Sequence, residues 1–272
     1  MPRVSTGESM PARLDRLLGA FDAAHPTLRV AQLARRAGLP VPTASRLVAQ
    51  LVEIGWLERC EEGLRPGLRL WELGQFAAPV RDFREAALPA LHGVHAVVRQ
   101  HAQLAVLDGT DVLVLERLSA KDATVNYSVQ GGRLPAHASS SGLALLAHNE
   151  AAAEATLLRR LERFTQFTTT DPARFRSLLT EVRAQGVAVL EGAIDVRTSA
   201  VAVPVFRGGQ AWGALSVIVP NDGEAKRWVP LLKAAARSIE AGSEQAAESV
   251  WDETRRTFIS RHRTDTRKPE SQ

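Results

Sequence analysis

Two groups of polar side chains have the types and spacing that recognition or catalysis would need. His137, Ser139, Ser140 and Ser141 fall within five residues of a Gly-, Pro- and Ser-rich stretch. A serine nucleophile needs a base within hydrogen-bond reach, and that base needs an orienting partner. Residues two to four apart in one loop rarely achieve this, and the chain has no GxSxG elbow, Walker loop or dinucleotide fingerprint. A serine hydrolase using His137 and Ser139 is therefore the remote reading. Small residues packed against a ligand or a strand need fewer assumptions. The second group is Thr43, Ser45, Arg46 and Gln50, short polar and basic side chains in a segment of helical periodicity. Such groups suit base edges and phosphates, and a guanidinium at Arg46 can take guanine bidentately or grip a phosphate. The seven histidines show no ligand spacing and Cys60 is the single cysteine, so neither a metal, a cofactor nor an intramolecular disulfide is expected.

The second group needs a scaffold, and residues 30–54 supply its pattern. Leu33 and Ala34 mark the buried side of a short helix, Gly38 permits a left-handed stop, and Pro42 suits the first turn of the next helix. In that helix Ala44, Leu47, Val48 and Leu51 form one apolar stripe, while Pro42, Thr43, Arg46, Ala49 and Gln50 face the other way. This is the design of a helix–turn–helix. Its cap positions read as Ala31 and Val41, types that cap poorly, each at about 1 kcal/mol. An amphipathic helix bearing Leu14, Leu17, Leu18 and Phe21 precedes it. Residues 56–60 and 64–65 around a Glu61-Glu62-Gly63 turn read as a hairpin wing, which places Arg59, Arg65 and Arg69 to meet phosphate. Residues 68–78 then read as a helix broken at Ala78-Pro79, followed by a longer helix over 82–100.

The first group belongs to a region that reads as α+β. Strands are expected over 102–108 and 112–117, joined through an Asp-Gly turn, then 124–129, 187–191, 200–206 and 212–219. The loop carrying His137 opens onto a helix over 141–148. Asp171 and Pro172 announce another helix that stops at Gly186, and a final helix covers 222–248.

At 272 residues, 45% hydrophobic and 24% charged, the chain is long enough for two modest cores. No apolar run approaches a membrane span and no signal peptide is legible, so a reducing cytoplasm is the expected setting. The net charge of +4 sits at the ends: residues 1–80 hold ten arginines against eight acids, 252–272 six basic groups against four acids, and 81–251 eighteen of each. That is a weak footprint for nucleic acid.

Three stretches together resemble the IclR type of bacterial transcriptional regulator over roughly residues 10–248. They are LARRAGLPVPTASRLVAQLVEIGWLER with GLRLWELG after it, QLAVLDGTDVLVLERL, and GGRLPAHASSSGLALLA followed by TDPARFRSLLTEVRAQGVAV and AVAVPVFRGGQAWGALSVIVP. The resemblance implies a winged helix–turn–helix over 10–67, a linker helix over 68–80, an α+β GAF-like effector-binding domain over 81–250 and a basic, disordered tail over 251–272. It implies double-stranded operator DNA and a small-molecule effector as partners, in a homodimer or a tetramer of two such dimers. Thr43 and Arg46 match the family's Thr and Arg, with Ser45 and Gln50 at variable positions that set operator choice. His137, Ala138 and Gly142 match the effector loop, Ser139 and Ser140 replace its Thr-Ala, Leu143 replaces its Lys, and Ser216 matches a serine of the last strand. The chain departs from the family where a Gly-Val-x-Cys run is expected: Arg197-Thr198-Ser199-Ala200 stands there, and the acidic run before it is reduced to Glu191 and Asp195. The effector is expected to be a small organic acid or aromatic carboxylate, with Ala138, Ser139, Ser140, Asp195, Arg197, Ala200 and Ser216 around it. Arg197 either pairs with that acid or makes an exposed ion pair of little worth. The alternative is a DNA-binding regulator whose second domain is degenerate, purely structural or oligomerising.

Overall fold

The computed structural model describes residues 8–22 and 24–243, and it divides into two compact units between Arg81 and Asp82. The polar start over 1–7 and the basic tail expected over 251–272 lie outside the described residues.

The first unit is built from helices α1 (Met10–Leu18), α2 (Val30–Arg36) and α3 (Val41–Glu53), the hairpin β1 (Leu57–Cys60) and β2 (Gly63–Pro66), and α4 (Leu68–Gly74). The apolar stripes of α1, α2 and α3 meet in one core containing Leu17, Leu33, Leu47, Val48 and Leu51, closed by Leu28, Leu57 and Leu64. Gly38 and Gly55 both take positive φ, +62° and +75°, where a side chain would be strained, and they end α2 and α3. Residue 28 makes a single bridge to Leu64, which ties the entry of α2 to the wing.

The expected caps are corrected. Arg29 and Pro40 occupy the N-cap positions, and Val41 and Pro42 are the first two residues of α3. The Arg29 N–H donates to Gln32 Oε1 at 2.9 Å, the reach back from the third helical residue that a capping box uses. At α3 the early positions have no intrahelical N–H partner to lose, which is where proline belongs.

The linker reading is corrected too. The helix after the wing ends at Gly74, and α5 (Ala78–Val98) begins at the residue expected to break it. Proline obstructs a helix interior but is preorganised for a first turn, so Ala78-Pro79 starts an element where a stop was expected.

In the second unit, β3 (His101–Asp108), β4 (Asp111–Ser119), β5 (Arg133–Pro135), β6 (Ala188–Glu191), β7 (Thr198–Arg207) and β8 (Gln210–Pro220) form one antiparallel sheet in the order β5-β4-β3-β8-β7-β6. One face is covered by α6 (Ser140–Leu146), α7 (Glu150–Leu157) and α8 (Pro172–Gln185), whose Leu143, Leu145, Phe175 and Val182 pack on Ala105, Ala202 and Ala214. The other face meets α5: a Cβ on Gly213 would lie 2.2 Å from the Phe83 ring, which itself packs on Trp212. Asp171 caps α8 through Arg174 N at 2.7 Å and Gly186 closes it at φ +64°. A short 3₁₀ segment, Ala225–Trp228, precedes α9 over 229–243.

Residues 124–129 are not a strand, contrary to expectation. Side chains take their backbone groups: His101 Nε2 donates to Thr124 O at 2.6 Å, and Asn126 Oδ1 accepts from Ser128 N at 3.0 Å. The sixth strand is instead β5, which pairs Arg133–Pro135 with Leu113, Val112 and Asp111. The loop released from the sheet becomes a wall of the site described next.

Candidate functional site

A cavity lies on the α6 face of the sheet, with about 590 Å³ of atom-free space including its mouth. Its floor is set by register: Gln103 on β3 is opposite Ser216 on β8, and Ser216 is opposite Ala202 on β7, so Gln103, Ser216, Ala200 and Ile218 share one face. The start of α6 brings Ala138, Ser139, Ser140 and Ser141 to one side. The 125–128 loop and residues 193–195 bring Asn126, Tyr127, Ser128 and Asp195 to the others. Leu134, Leu190 and Ile218 supply apolar wall, and among the described residues no Lys, Arg or His lines the space.

Of the residues expected around an effector, Ala138, Ser139, Ser140, Asp195, Ala200 and Ser216 line this one cavity, whereas Arg197 does not. Most of the hydroxyls and the carboxylate of Asp195 are already committed. Ser139 Oγ accepts from Gly142 N at 3.1 Å and so caps α6. Ser141 Oγ donates to Ser216 Oγ at 3.0 Å, tying the helix start to the central strand. Asp195 is held by Arg197, whose Nε and Nη2 donate to it at 3.0 and 2.7 Å and whose backbone N–H donates at 2.8 Å. Tyr127 adds its hydroxyl at 3.0 Å. Those Arg197 side-chain bonds first, then its backbone N–H, hold the Asp195 carboxyl far below the usual carboxylate range. Arg197 therefore neutralises a carboxylate of its own chain at the cavity's edge. It offers no cation to the interior.

The sequence reading missed Gln103, Asn126, Tyr127, Ser128 and Thr198. Gln103 is a polar residue in the middle of an otherwise apolar strand, AQLAVL, and that interruption was its one local signal. Asn126, Tyr127 and Ser128 were hidden by their assignment to a strand.

The serine–histidine pair of the remote hydrolase reading is not made. His137 Nε2 donates to Glu162 O at 2.9 Å, and its ring lies 6.4 Å from that of Phe164. Ser139 is occupied as a cap.

In the first unit, α3 buries Ala44, Leu47, Val48 and Leu51 and leaves Pro42, Ser45, Arg46, Ala49 and Gln50 exposed, with Thr43 half-buried. No hydrogen bond or ion pair among the described residues engages Arg46. Arg59 on the wing is likewise exposed and unpaired among them. Arg65 is paired with Glu58, directly opposite it in the hairpin, and Arg69 with Glu72 at 2.8 Å. Exposed pairs of this kind are worth little and yield to a competing anion.

Comparison with known proteins matches both units. The model of the bacterial transcriptional regulator IclR C-terminal domain matches residues 75–241, and that of the IclR helix-turn-helix domain residues 12–60. The chain is 27% identical to the Pca regulon regulatory protein of Pseudomonas putida over 82% of its own length and 80% of that protein's. It is 31% identical to the HTH-type transcriptional regulator BhcR of Paracoccus denitrificans over 76% and 77%. Among solved structures, an IclR homolog complexed with 4-hydroxybenzoate from Microbacterium hydrocarbonoxydans is 39% identical. It covers 87% of this chain and all of that one, with a TM-score of 0.82.

Proposed function

The chain belongs to the IclR family of DNA-binding transcriptional regulators controlled by a small-molecule effector, and we propose that its effector is a small organic acid, with single-ring aromatic carboxylates the favoured class. The observation that carries this reading is the cavity at the start of α6, apolar along Leu134, Leu190 and Ile218 and polar where Ser139, Ser140 and Ser141 converge. The backbone N–H groups of Ser140 and Ser141 have no partner among the described hydrogen bonds and suit a carboxylate. Asp195 does not oppose an acid, because Arg197 balances its charge. The homolog with 4-hydroxybenzoate bound supports the aromatic class.

DNA is read by α3, with Arg46, Thr43, Ser45 and Gln50 toward base edges and Arg59 and Arg65 toward phosphate. Two copies on a pseudo-palindromic operator give the required pair of recognition helices. The exposed apolar side chains of α4, Leu68, Trp71 and Leu73, with Phe76 just after it, are assigned to the contact between those copies. Repression is the favoured mode, in keeping with a 27% identical relative, the transcriptional repressor IclR of Escherichia coli, and the cytoplasm is the expected setting. Catalysis has no support in this reading, since His137 and Ser139 are each bonded elsewhere.

The experiment is a thermal-shift screen of the full chain against single-ring aromatic carboxylates, with hits retested on operator DNA. A ligand that raises the melting temperature and shifts DNA affinity is the expected result. The second reading, a purely structural effector domain, is favoured by Ala200 standing where the family has its cysteine. A chain that binds DNA and responds to none of the acids would select it.

A further inference from the structure

The floor of the cavity contains a directed chain of hydrogen bonds. Gln103 Nε2 donates to Ser128 Oγ, and Ser128 Oγ donates to Asn126 Oδ1 at 2.9 Å. Asn126 Oδ1 also accepts from Ser128 N at 3.0 Å, which fixes which end of that amide is oxygen. Ser128 has one hydroxyl proton and gives it to Asn126, so its oxygen is the acceptor for Gln103. The orientation of both amides follows.

Each amide is then left with one unused group. Asn126 Nδ2 is a buried donor with no acceptor. Gln103 Oε1 is an acceptor for which no donor exists among the described residues, on a side chain only 3% exposed. Both residues line the cavity, and Ser128 between them is itself buried, so neither can turn without breaking the chain. A native fold rarely leaves a buried donor such as Asn126 Nδ2 without a use, and the same cavity holds the Gln103 oxygen, which no described hydrogen bond engages.

From this pair we infer that Gln103 and Asn126 are the specificity-determining residues of the cavity, reading a neutral hydroxyl on the effector. A hydroxyl is the small group that gives one proton and accepts another, so it donates to Gln103 Oε1 while accepting from Asn126 Nδ2. A carboxylate only accepts and would set its charge against the Gln103 oxygen. An ammonium only donates and leaves Asn126 unpaired. A bare ring satisfies neither. The effector is thus a hydroxy acid. This rests on the acid-binding reading given above and adds to it the second polar end.

The test is titration calorimetry of the full chain with 4-hydroxybenzoate, benzoate and terephthalate. The wild-type chain should bind 4-hydroxybenzoate roughly tenfold to a hundredfold more tightly than benzoate, since a site built to pair a hydroxyl rejects the analogue lacking it. Terephthalate should bind more weakly than benzoate. In Asn126→Ala the ratio of the two affinities, 4-hydroxybenzoate over benzoate, should fall severalfold. Taking the ratio of two ligands on one variant separates lost recognition from lost folding. Should Asn126→Ala bind neither, Asn126→Leu keeps the bulk while removing the donor without adding an acceptor, and the ratio must fall there. Equal affinity for 4-hydroxybenzoate and benzoate in the wild type, or full discrimination retained in a folded Asn126 variant, overturns the inference and leaves the acid site standing. Binding of none of the three acids overturns the acid site, and this inference with it.

Discussion

Arg46 is an exposed guanidinium on the face of α3 opposite the core, with no partner among the described residues. Replacing it with alanine removes a recognition group without opening a cavity. Arg46→Ala should weaken operator binding by about 1–3 kcal/mol, roughly 5- to 150-fold, while the stabilisation by effector is unchanged; gel-shift and thermal-shift titrations on the same preparation check this. Unaltered DNA affinity would mean that α3 does not enter the groove. His101 makes a different prediction. Burial first, opposed by its bond to Thr124 O and aided by the charge of Arg117, holds its pKa below the ordinary 6.5. A histidine depressed in the fold binds its proton more readily in the unfolded chain. Its contribution is therefore complete above pH 6.5 and is lost as pH falls through the folded value. The melting temperature should drop on acidification from pH 7 to pH 5, and His101→Gln should flatten that part of the profile. An unchanged slope would remove His101 as the cause.

The elements that matter most to the site are the ones with least room. A Cβ on Gly142 would lie 2.1 Å from the backbone oxygen of Ala136, so α6 can begin against the preceding 3₁₀ turn only with glycine there. Gly142→Ala should destabilise the chain by about 2 kcal/mol through overpacking and weaken effector binding, measured by denaturant unfolding and calorimetry. An unperturbed midpoint would show that the turn can yield. Element boundaries were legible in the sequence wherever a backbone rule applied: Gly38, Gly55, Asp171 and Gly186 each ended or began a helix where expected. They were misread where a residue admits two uses. Pro79 both prevents a helix from continuing and suits the start of the next, and sequence alone does not rank the two. Residues 124–129 have a strand's composition, TVNYSV, but their backbone partners are the side chains of His101 and Asn126, one of them more than twenty residues away.

For the whole molecule, regulation requires that the effector bind the DNA-competent and DNA-incompetent arrangements with different affinity, and the coupling is reciprocal. Operator DNA should therefore change the affinity for effector by the same factor as effector changes the affinity for DNA. Calorimetry with and without operator tests this, and unequal factors would exclude a simple two-state linkage. Trp71 is 63% exposed on α4, a helix that buries none of its residues. If that face meets a second copy, Trp71→Glu should shift the sedimentation coefficient toward the monomer and reduce operator affinity at least tenfold, as loss of a paired contact demands. A dimer that survives the substitution would move the interface elsewhere.

By itself, the sequence determined the two units and the family, because helix stripes, turn glycines and the order of three long stretches are local or collinear properties. It also marked the exposed face of α3, since helical periodicity alone divides Leu47 from Arg46. Only the tertiary structure decided what each polar group at the effector site is free to do. Arg197 was legible as a cation near the site, yet its charge is consumed by Asp195, two residues away, and shared with Tyr127, seventy residues away. Gln103 and Asn126 carry no motif and acquire meaning through Ser128, which joins a strand to a loop. Hydrogen-bond satisfaction is a property of neighbours in space, and those neighbours are set by the register of β3 against β8 and by a loop that leaves the sheet.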